Sequence, residues 1–212
     1  MTPVRMAAAQ LPETAAVLGR AFFDDPPIVW AVPDDETRER VLAPFMALSL
    51  QYGHRYGEVY ISDGAIEGAA IWLPSPASSA GGMRVMMRFV LSALLVGDTK
   101  LWTSPIHIGW TGLRRFMTVN NRFEEIHKRD MHGPHWHLIT LGVEPERQGQ
   151  GVGGALIQPV LERADGEHLP CYLETAKERN LTFYRRHGFE VVVDEHLPNS
   201  GPRFWTMKRE PR

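Results

Sequence analysis

The sequence predicts an α+β, mixed α/β fold of one domain. Three observations carry this. Apolar residues recur at helical spacing in some segments, short β-rich runs bounded by turn residues stand between them, and a strand–helix–strand unit fills the last third. The chain of 212 residues is long enough to bury a core without disulfide or metal staples. Three stretches organise it: an N-terminal half over 1–73, a variable helical insertion over 74–134 and a C-terminal half over 135–212.

Val4 to Ala8 reads as a short strand. Leu11, Ala15, Leu18 and Phe22 fall on one helical face over Leu11 to Phe23. Asp24-Asp25-Pro26-Pro27 must stop that helix, because proline restricts the residue before it and cannot continue the ladder. Val41, Phe45 and Leu48 mark a second helix over Glu36 to Gln51. Glu58–Ser62 and Ile66–Leu73 flank Asp63-Gly64, a hairpin signal.

Pro74 to Gly82 reads as a loop, Met83 to Val96 as an apolar Met-rich helix, and Gly112 to His127 as a further helix. Asp130 to Pro134 breaks the pattern before a strand over His135 to Val143. A helix follows over Gln150 to Ala164, with Pro159 expected to kink it. Cys171–Thr175 is a strand, and Asn180–His187 a short helix closed by Gly188. Glu190–Val193 and Phe204–Lys208 are the last strands.

Composition limits the function classes. With 23 Lys+Arg against 25 Asp+Glu the formal net charge is −2, which argues against a nucleic-acid partner. Met83–Val96 is interrupted by Arg84 and Arg88 and is too short to span a bilayer, so no membrane partner is expected. Cys171 is the single cysteine, which excludes an internal disulfide and cysteine-based zinc sites and suits a cytoplasmic setting. His127, Asp130, His132, His135 and His137 cross a Gly-Pro break and match no zinc spacing, so no metal is expected.

The chemistry centres on Gln148-Gly149-Gln150-Gly151-Val152-Gly153-Gly154, placed between a strand and a helix. Clustered backbone N–H groups and a helix N-terminus make an anion site, most simply for a phosphate or diphosphate. No Lys-Ser or Lys-Thr follows, which argues against a nucleotide-hydrolysing P-loop. Gly149, Gly151 and Gly154 satisfy G-x-G-x-x-G, and Glu174 follows about 20 residues on, as a dinucleotide fold requires. Against that, Glu144-Pro145-Glu146-Arg147 separate strand and glycines, and too little chain follows for a second half-fold.

Gln148-Gly-Gln-Gly-Val-Gly153 resembles the Q/R-x-x-G-x-G/A signature of the GCN5-related N-acetyltransferases (GNAT). Asn180 to Tyr184, followed by Gly188-Phe189, resembles the same superfamily's N-x-x-x-x-Y…G-F segment. Within it the chain is similar to the puromycin-type N-acetyltransferases. Leu173-Glu174-Thr175, Arg179-Asn180-Leu181 and Gly201-Pro202-Arg203 carry this at the C-terminal end, and Ala21-Phe22 before Asp25-Pro26, with Ala70-Ile71-Trp72, at the N-terminal end. The likeness is weakest over Pro74 to Arg129, the region that in those enzymes helps shape the acceptor pocket.

The resemblance implies a mostly antiparallel, twisted sheet flanked by helices, with splayed strands holding acetyl-CoA. Leu141, Gly142 and Val143 would pair with its pantetheine arm, and Gln148, Gly149, Gln150, Gly151, Val152, Gly153 and Gly154 would hold its diphosphate. Asn180 and Phe183 would also touch it, and Asn before a helix equally suits an N-cap. Tyr184 is the expected general acid toward the departing thiolate, or else a core aromatic. Glu174 is the candidate general base, or else a surface carboxylate paired with Lys177 or Arg179; His137 is the rival base. Trp30, Trp72 and His137 are candidate acceptor contacts, with Trp72 foremost; Tyr56, Trp102 and Trp110 are further aromatics of the kind that line such pockets. The acceptor implied is a primary amine of a small molecule, an aminonucleoside or aminoacyl-type antibiotic among them, and the protein a monomer or homodimer. No cysteine lies in these motifs, which favours direct transfer in a ternary complex over an acyl-enzyme. A non-catalytic acyl-CoA sensor is the alternative from another class.

Overall fold

The computed structural model describes residues 1–75 and 103–212. The expected Met83–Val96 helix, nearly all of the Pro74–Gly82 loop and Trp102 lie outside the described residues. In chain order the elements are β1 (Pro3–Arg5), α1 (Leu11–Ala21), α2 (Pro26–Ala31), α3 (Asp35–Tyr56), β2 (Glu58–Ser62), β3 (Gly68–Pro74) and α4 (Thr103–Asp130, broken at Gly109). Then come β4 (Trp136–Val143), α5 (Val152–Gly166), β5 (Cys171–Thr175), α6 (Arg179–Arg186), β6 (Glu190–His196) and β7 (Arg203–Arg209).

The strands form one seven-stranded sheet in the order β1-β2-β3-β4-β5-β7-β6. Every neighbouring pair is antiparallel except β4 and β5, which run parallel. Two core clusters lie against the sheet. One joins Trp72, Trp136 and Leu138 to α5 through Leu156, Ile157 and Val160, and to α6 through Leu181 and Tyr184. The other joins Ile61 and Ile71 to α1 and α3 through Leu18, Leu42 and Leu50. Sheet residues alternate between the two, as period-two side chains must.

Most elements stand where periodicity put them, with three physical departures. Pro26 and Pro27 end α1 but also open α2, since a missing N–H costs nothing in the first turn of a helix. The buried Arg38 fastens that corner by donating to the carbonyls of Phe23 and Val32. The β2–β3 hairpin is longer than Asp63-Gly64 alone: Ser62 Oγ donates to the Ala65 carbonyl and accepts from the Glu67 amide, so residues 63–67 form the loop. And α5 runs unbroken through Pro159 from Val152 to Gly166.

The centre of the sheet opens. β4 pairs with β5 only at Trp136, His137 and Leu138, opposite Cys171, Tyr172 and Leu173. Beyond Leu138 the β4 chain stays with β3, while Glu174 and Thr175 stay with β7. A bulge at this point leaves Ile139 without an opposite residue on β3. It also switches the alternation, so that Trp136 and Leu138 before it, and Leu141 and Val143 after it, all pack toward α5. The splayed strands that the resemblance implied are present.

Candidate active site

A cavity of about 350 Å³ occupies this opening. Its walls include Leu138–Leu141 of β4, Glu174 and Thr175 of β5, Asn180 and Tyr184 of α6, and Asp25 at the start of α2. The far end is apolar and aromatic, with Phe45 and Tyr52 from α3 and Phe116 and Phe123 from α4. Such a pocket, mostly apolar with a few convergent polar groups, is the common form of a small-molecule site.

The exposed backbone of β4 is oriented by alternation. The Glu144 amide donates to the Glu67 carbonyl across the β3 side. Gly142 therefore also faces β3, while the amide groups of Leu141 and Val143 face the opened side. The Val143 carbonyl already accepts from Gln148 Nε2 at 3.1 Å, which folds the glycine loop against the strand end. Gly142 is glycine for a packing reason: a Cβ there would stand 2.6 Å from Leu18 Cδ2 of α1.

Gly149 and Gly151 hold φ of 75° and 84°, values that favour glycine, and a Cβ on either would meet open space. Gly151 caps α5, and the first helical bond runs from the Ala155 amide to the Gly151 carbonyl. The amides of Val152, Gly153 and Gly154 therefore precede the ladder, at the positive end of a helix 15 residues long. The Val152 side chain itself is buried in the core, so only its backbone is available to a ligand. Phe183 packs over Gly153 and His187 Nε2 lies close to Gly154, which brings α6 against the loop. Gln150 Nε2 donates to the Glu146 carbonyl at 3.0 Å and steadies the preceding turn.

The two rival bases prove to be partners. His137 Nε2 lies 2.8 Å from Glu174 Oε2, and both side chains are nearly buried. Lys177 and Arg179 pair with Asp24 instead, so Glu174 is not the surface ion pair it resembled in sequence. His137 Nδ1 is buried without a hydrogen-bond partner. The His127 ring, on α4, sits 4.4 Å from that of His137 and stacks on Tyr172. His127 Nε2 is 2.8 Å from His135 Nε2, and His135 Nδ1 is 2.6 Å from the Gly133 carbonyl. A carbonyl only accepts, so His135 carries its proton on Nδ1 and His127 donates through Nε2. Burial pulls the His127 imidazole down to about 2 and also lowers His135, which leaves both neutral. Among the described residues no group of three or more His, Cys, Asp or Glu side chains is arranged to hold a metal ion.

Tyr184 enters from the α6 side. Its ring is buried against Phe183 and Phe189, and burial together with the nearby Asp25 pushes the phenol above its ordinary range, so it holds its proton. Asn180 lies in the first turn of α6 and donates through Nδ2 to Thr175 Oγ1 at 3.1 Å; Glu178 is the N-cap. Cys171 is buried in the core, and burial pushes its thiol up to about 12. That environment suits an inert side chain rather than an acyl carrier.

Two expected acceptor contacts are corrected. Trp72 is fully buried and packs toward α5, away from the aromatic end of the cavity. Plain alternation along β3 explains this: Ala70 and Trp72 face α5, while Ala69 and Ile71 face α1 and α3. Trp30 packs with Val119, Phe123 and Phe204, and Arg115 holds it by stacking on the ring and donating to its carbonyl at 2.8 Å. Neither lines the cavity; His137 does. Tyr56 and Trp110 are exposed, at 45% and 78%. Sequence reading gave Asp25 no role in the site, taking it as part of a helix stop and of the N-terminal likeness, and missed the Phe45–Phe116 edge-to-face pair at 4.7 Å. Asp25 precedes the two prolines of α2, and an acid there reads as an N-cap; its failure to cap is visible only in three dimensions.

Residues 113–191 match the acetyltransferase (GNAT) domain family. The whole chain is 26% identical to 84% of an uncharacterized N-acetyltransferase, C550.08, of Schizosaccharomyces pombe. A structure described as histone acetyltransferase HPA2 and related acetyltransferase, from Corynebacterium glutamicum, superposes with a TM-score of 0.64 at 22% identity, covering 100% of this chain and 96% of that one. Arylalkylamine N-acetyltransferase 2 of Aedes aegypti superposes with a TM-score of 0.60 at 12% identity, over 99% and 98% of the two chains. The split sheet and the glycine loop, taken with these matches, define an acyltransferase enzyme. Residues 113–191 carry a GNAT acetyltransferase domain, and the chain as a whole shares the fold of acetyltransferase structures.

Proposed function

We propose that the protein is an acetyl-CoA-dependent N-acetyltransferase that acts on a primary amine of a small molecule by direct attack in a ternary complex. The observation that carries this is the cavity at the β4–β5 opening, which presents the His137–Glu174 pair and Tyr184 together. Bound acetyl-CoA would supply an activated acyl group. The amides of Val152, Gly153 and Gly154 would take the diphosphate, and those of Leu141 and Val143 the pantetheine arm, as an added strand.

His137–Glu174 removes the proton from the amine so that its lone pair can attack. Donors on β4 face the developing oxyanion. Tyr184, held protonated by its buried setting, gives its proton to the departing sulfur. The buried Cys171 is not used, which supports direct transfer. The aromatic end of the cavity suits an amine with an apolar body; the arylalkylamine enzyme of Aedes aegypti, by its name, acts on that class. An aminonucleoside or aminoacyl-type antibiotic is a member of the wider class. The one buried thiol goes with a reducing, cytoplasmic setting, and no described helix is long and apolar enough to cross a membrane.

Release of free thiol from acetyl-CoA over a panel of primary amines tests this reading. Amine-dependent release is expected. Acetyl-CoA binding with no release on any amine would indicate a sensor, and tight NADH binding without acetyl-CoA binding would revive the dinucleotide reading.

A further inference from the structure

The cavity holds three carboxylates among the described residues: Glu174, Glu124 and Asp25. Two are engaged, Glu174 by His137 and Glu124 by Lys128. Among the described residues Asp25 makes no side-chain hydrogen bond and no ion pair, although it stands at the N-cap of α2, where a carboxylate ordinarily accepts from the helix. Lys177, the cation that acts on it, is paired with its neighbour Asp24. Tyr184 and Asp24 are the other ionisable groups that interact with it, and neither supplies positive charge.

Asp25 is half-buried, and a carboxylate set without a partner in the wall of a mostly apolar cavity is available for a cationic ligand to complete. We infer that Asp25 is the acceptor-recognition carboxylate of this enzyme, receiving the ammonium group of the incoming amine between Tyr184 and the aromatic wall. This rests on the transferase reading above and deepens it: the acceptor is a primary amine that arrives as a cation, with an apolar body lying toward Phe45, Phe116 and Phe123. Proton removal by His137–Glu174 then releases the amine from Asp25 toward the thioester. Asp25 thus sets which acceptors enter, and it is a binding rather than a proton-transferring group. Its loss of solvation shows in a carboxyl pushed up to about 6.

The test uses the full-length protein loaded with coenzyme A. Binding of 2-phenylethylamine, tryptamine and agmatine is measured by calorimetry beside neutral 2-phenylethanol, in the wild type, Asp25→Asn and Asp25→Glu. Asparagine caps helices as well as aspartate does, and thermal unfolding checks that both variants fold. Asp25→Asn is expected to weaken amine binding by about tenfold or more, the size of a lost charge-assisted hydrogen bond, with 2-phenylethanol unchanged. Asp25→Glu should restore part of the loss. In turnover the amine KM should rise more than kcat falls. Equal amine binding in wild type and Asp25→Asn, or equal loss of amine and alcohol, would overturn the assignment, as would a fall in kcat at unchanged KM. Asp25-dependent amine binding without turnover on any amine would sink the transferase reading and keep the recognition role.

Discussion

His137 donates through Nε2 to Glu174 across the gap where β4 leaves β5, at 2.8 Å. With its proton on Nε2, a neutral His137 presents Nδ1 as its lone pair, and that atom has no partner. Two groups that the sequence offered as rivals therefore form one device, in which the carboxylate fixes the tautomer and stabilises the imidazolium that forms when a proton is taken.

Residues that act as a unit lose their effect together. His137→Gln and Glu174→Gln should each lower kcat/KM by about 10²–10⁴, the usual span for a positioned base. The double variant should fall little below the worse single one. Losses that multiply would show that the two act separately.

The acid is tested on the other side of the opening. Tyr184→Phe keeps the ring that packs on Phe183 and Phe189 and removes only the hydroxyl. We expect kcat to fall at least tenfold while acetyl-CoA affinity, read by calorimetry, stays within twofold. Unchanged kcat would remove Tyr184 from the chemistry and leave it as core.

The glycine loop separates charge from strain. Gly151 sits at φ 84° with open space where a Cβ would be, so Asn, which tolerates that region, measures the backbone cost. Gly151→Asp adds a carboxylate beside the same helix N-terminus. Asp should weaken acetyl-CoA binding well beyond Asn, and the excess should shrink as salt is raised. Equal affinities for the two variants would place the diphosphate elsewhere.

How far the sequence showed all this depends on what each signal measures. The loop at Gly149–Gly154 and the segment Asn180–Tyr184 were legible because they are local: a backbone conformation and a short helix carry their own residue types. The expectation for Trp72 failed for a non-local reason. β3 is apolar on both faces, so alternation alone puts Trp72 with Ala70 and apart from Ile71, and which helices cover each face is settled only by the packing of α5 on one side and α1 and α3 on the other. Asp25 was read as a turn former because Asp-Asp-Pro-Pro breaks a helix wherever it occurs. That its carboxylate lies in a cavity with Tyr184 depends on α2 and α6, far apart in the chain, lining the same opening.

An unpaired, half-buried carboxylate should also be visible in stability. Asp25 titrates at about 6 in the folded protein against an ordinary 3.8, so the folded state holds its proton more tightly between those values. Its contribution is lost as pH rises through that window, and the penalty is fully present above it. Asp25→Asn should therefore raise Tm at pH 7.5, by about 2–4 °C for each kcal/mol relieved. The gain should vanish at pH 4 and below. A gain of the same size at both pH values would mean that charge is not its cause.

His127 carries the opposite sign. The folded protein holds it neutral down to about 2, whereas the unfolded chain takes up a proton at the ordinary 6.5. The stability that this represents is complete above 6.5 and drains away as pH falls toward 2, because the unfolded state binds the extra proton. His127→Phe keeps a flat ring against Tyr172 and cannot charge, but it leaves His135 Nε2 without its donor. That orphaned acceptor should cost about 1–3 kcal/mol at neutral pH. Below pH 6.5 the variant should lose stability less steeply than the wild type, so the two Tm curves converge toward pH 5. His135, also lowered by burial, continues to titrate in both proteins and keeps some acid sensitivity in each. Parallel curves would mean that His127 stays uncharged in the unfolded chain as well, or takes up its proton without unfolding the protein.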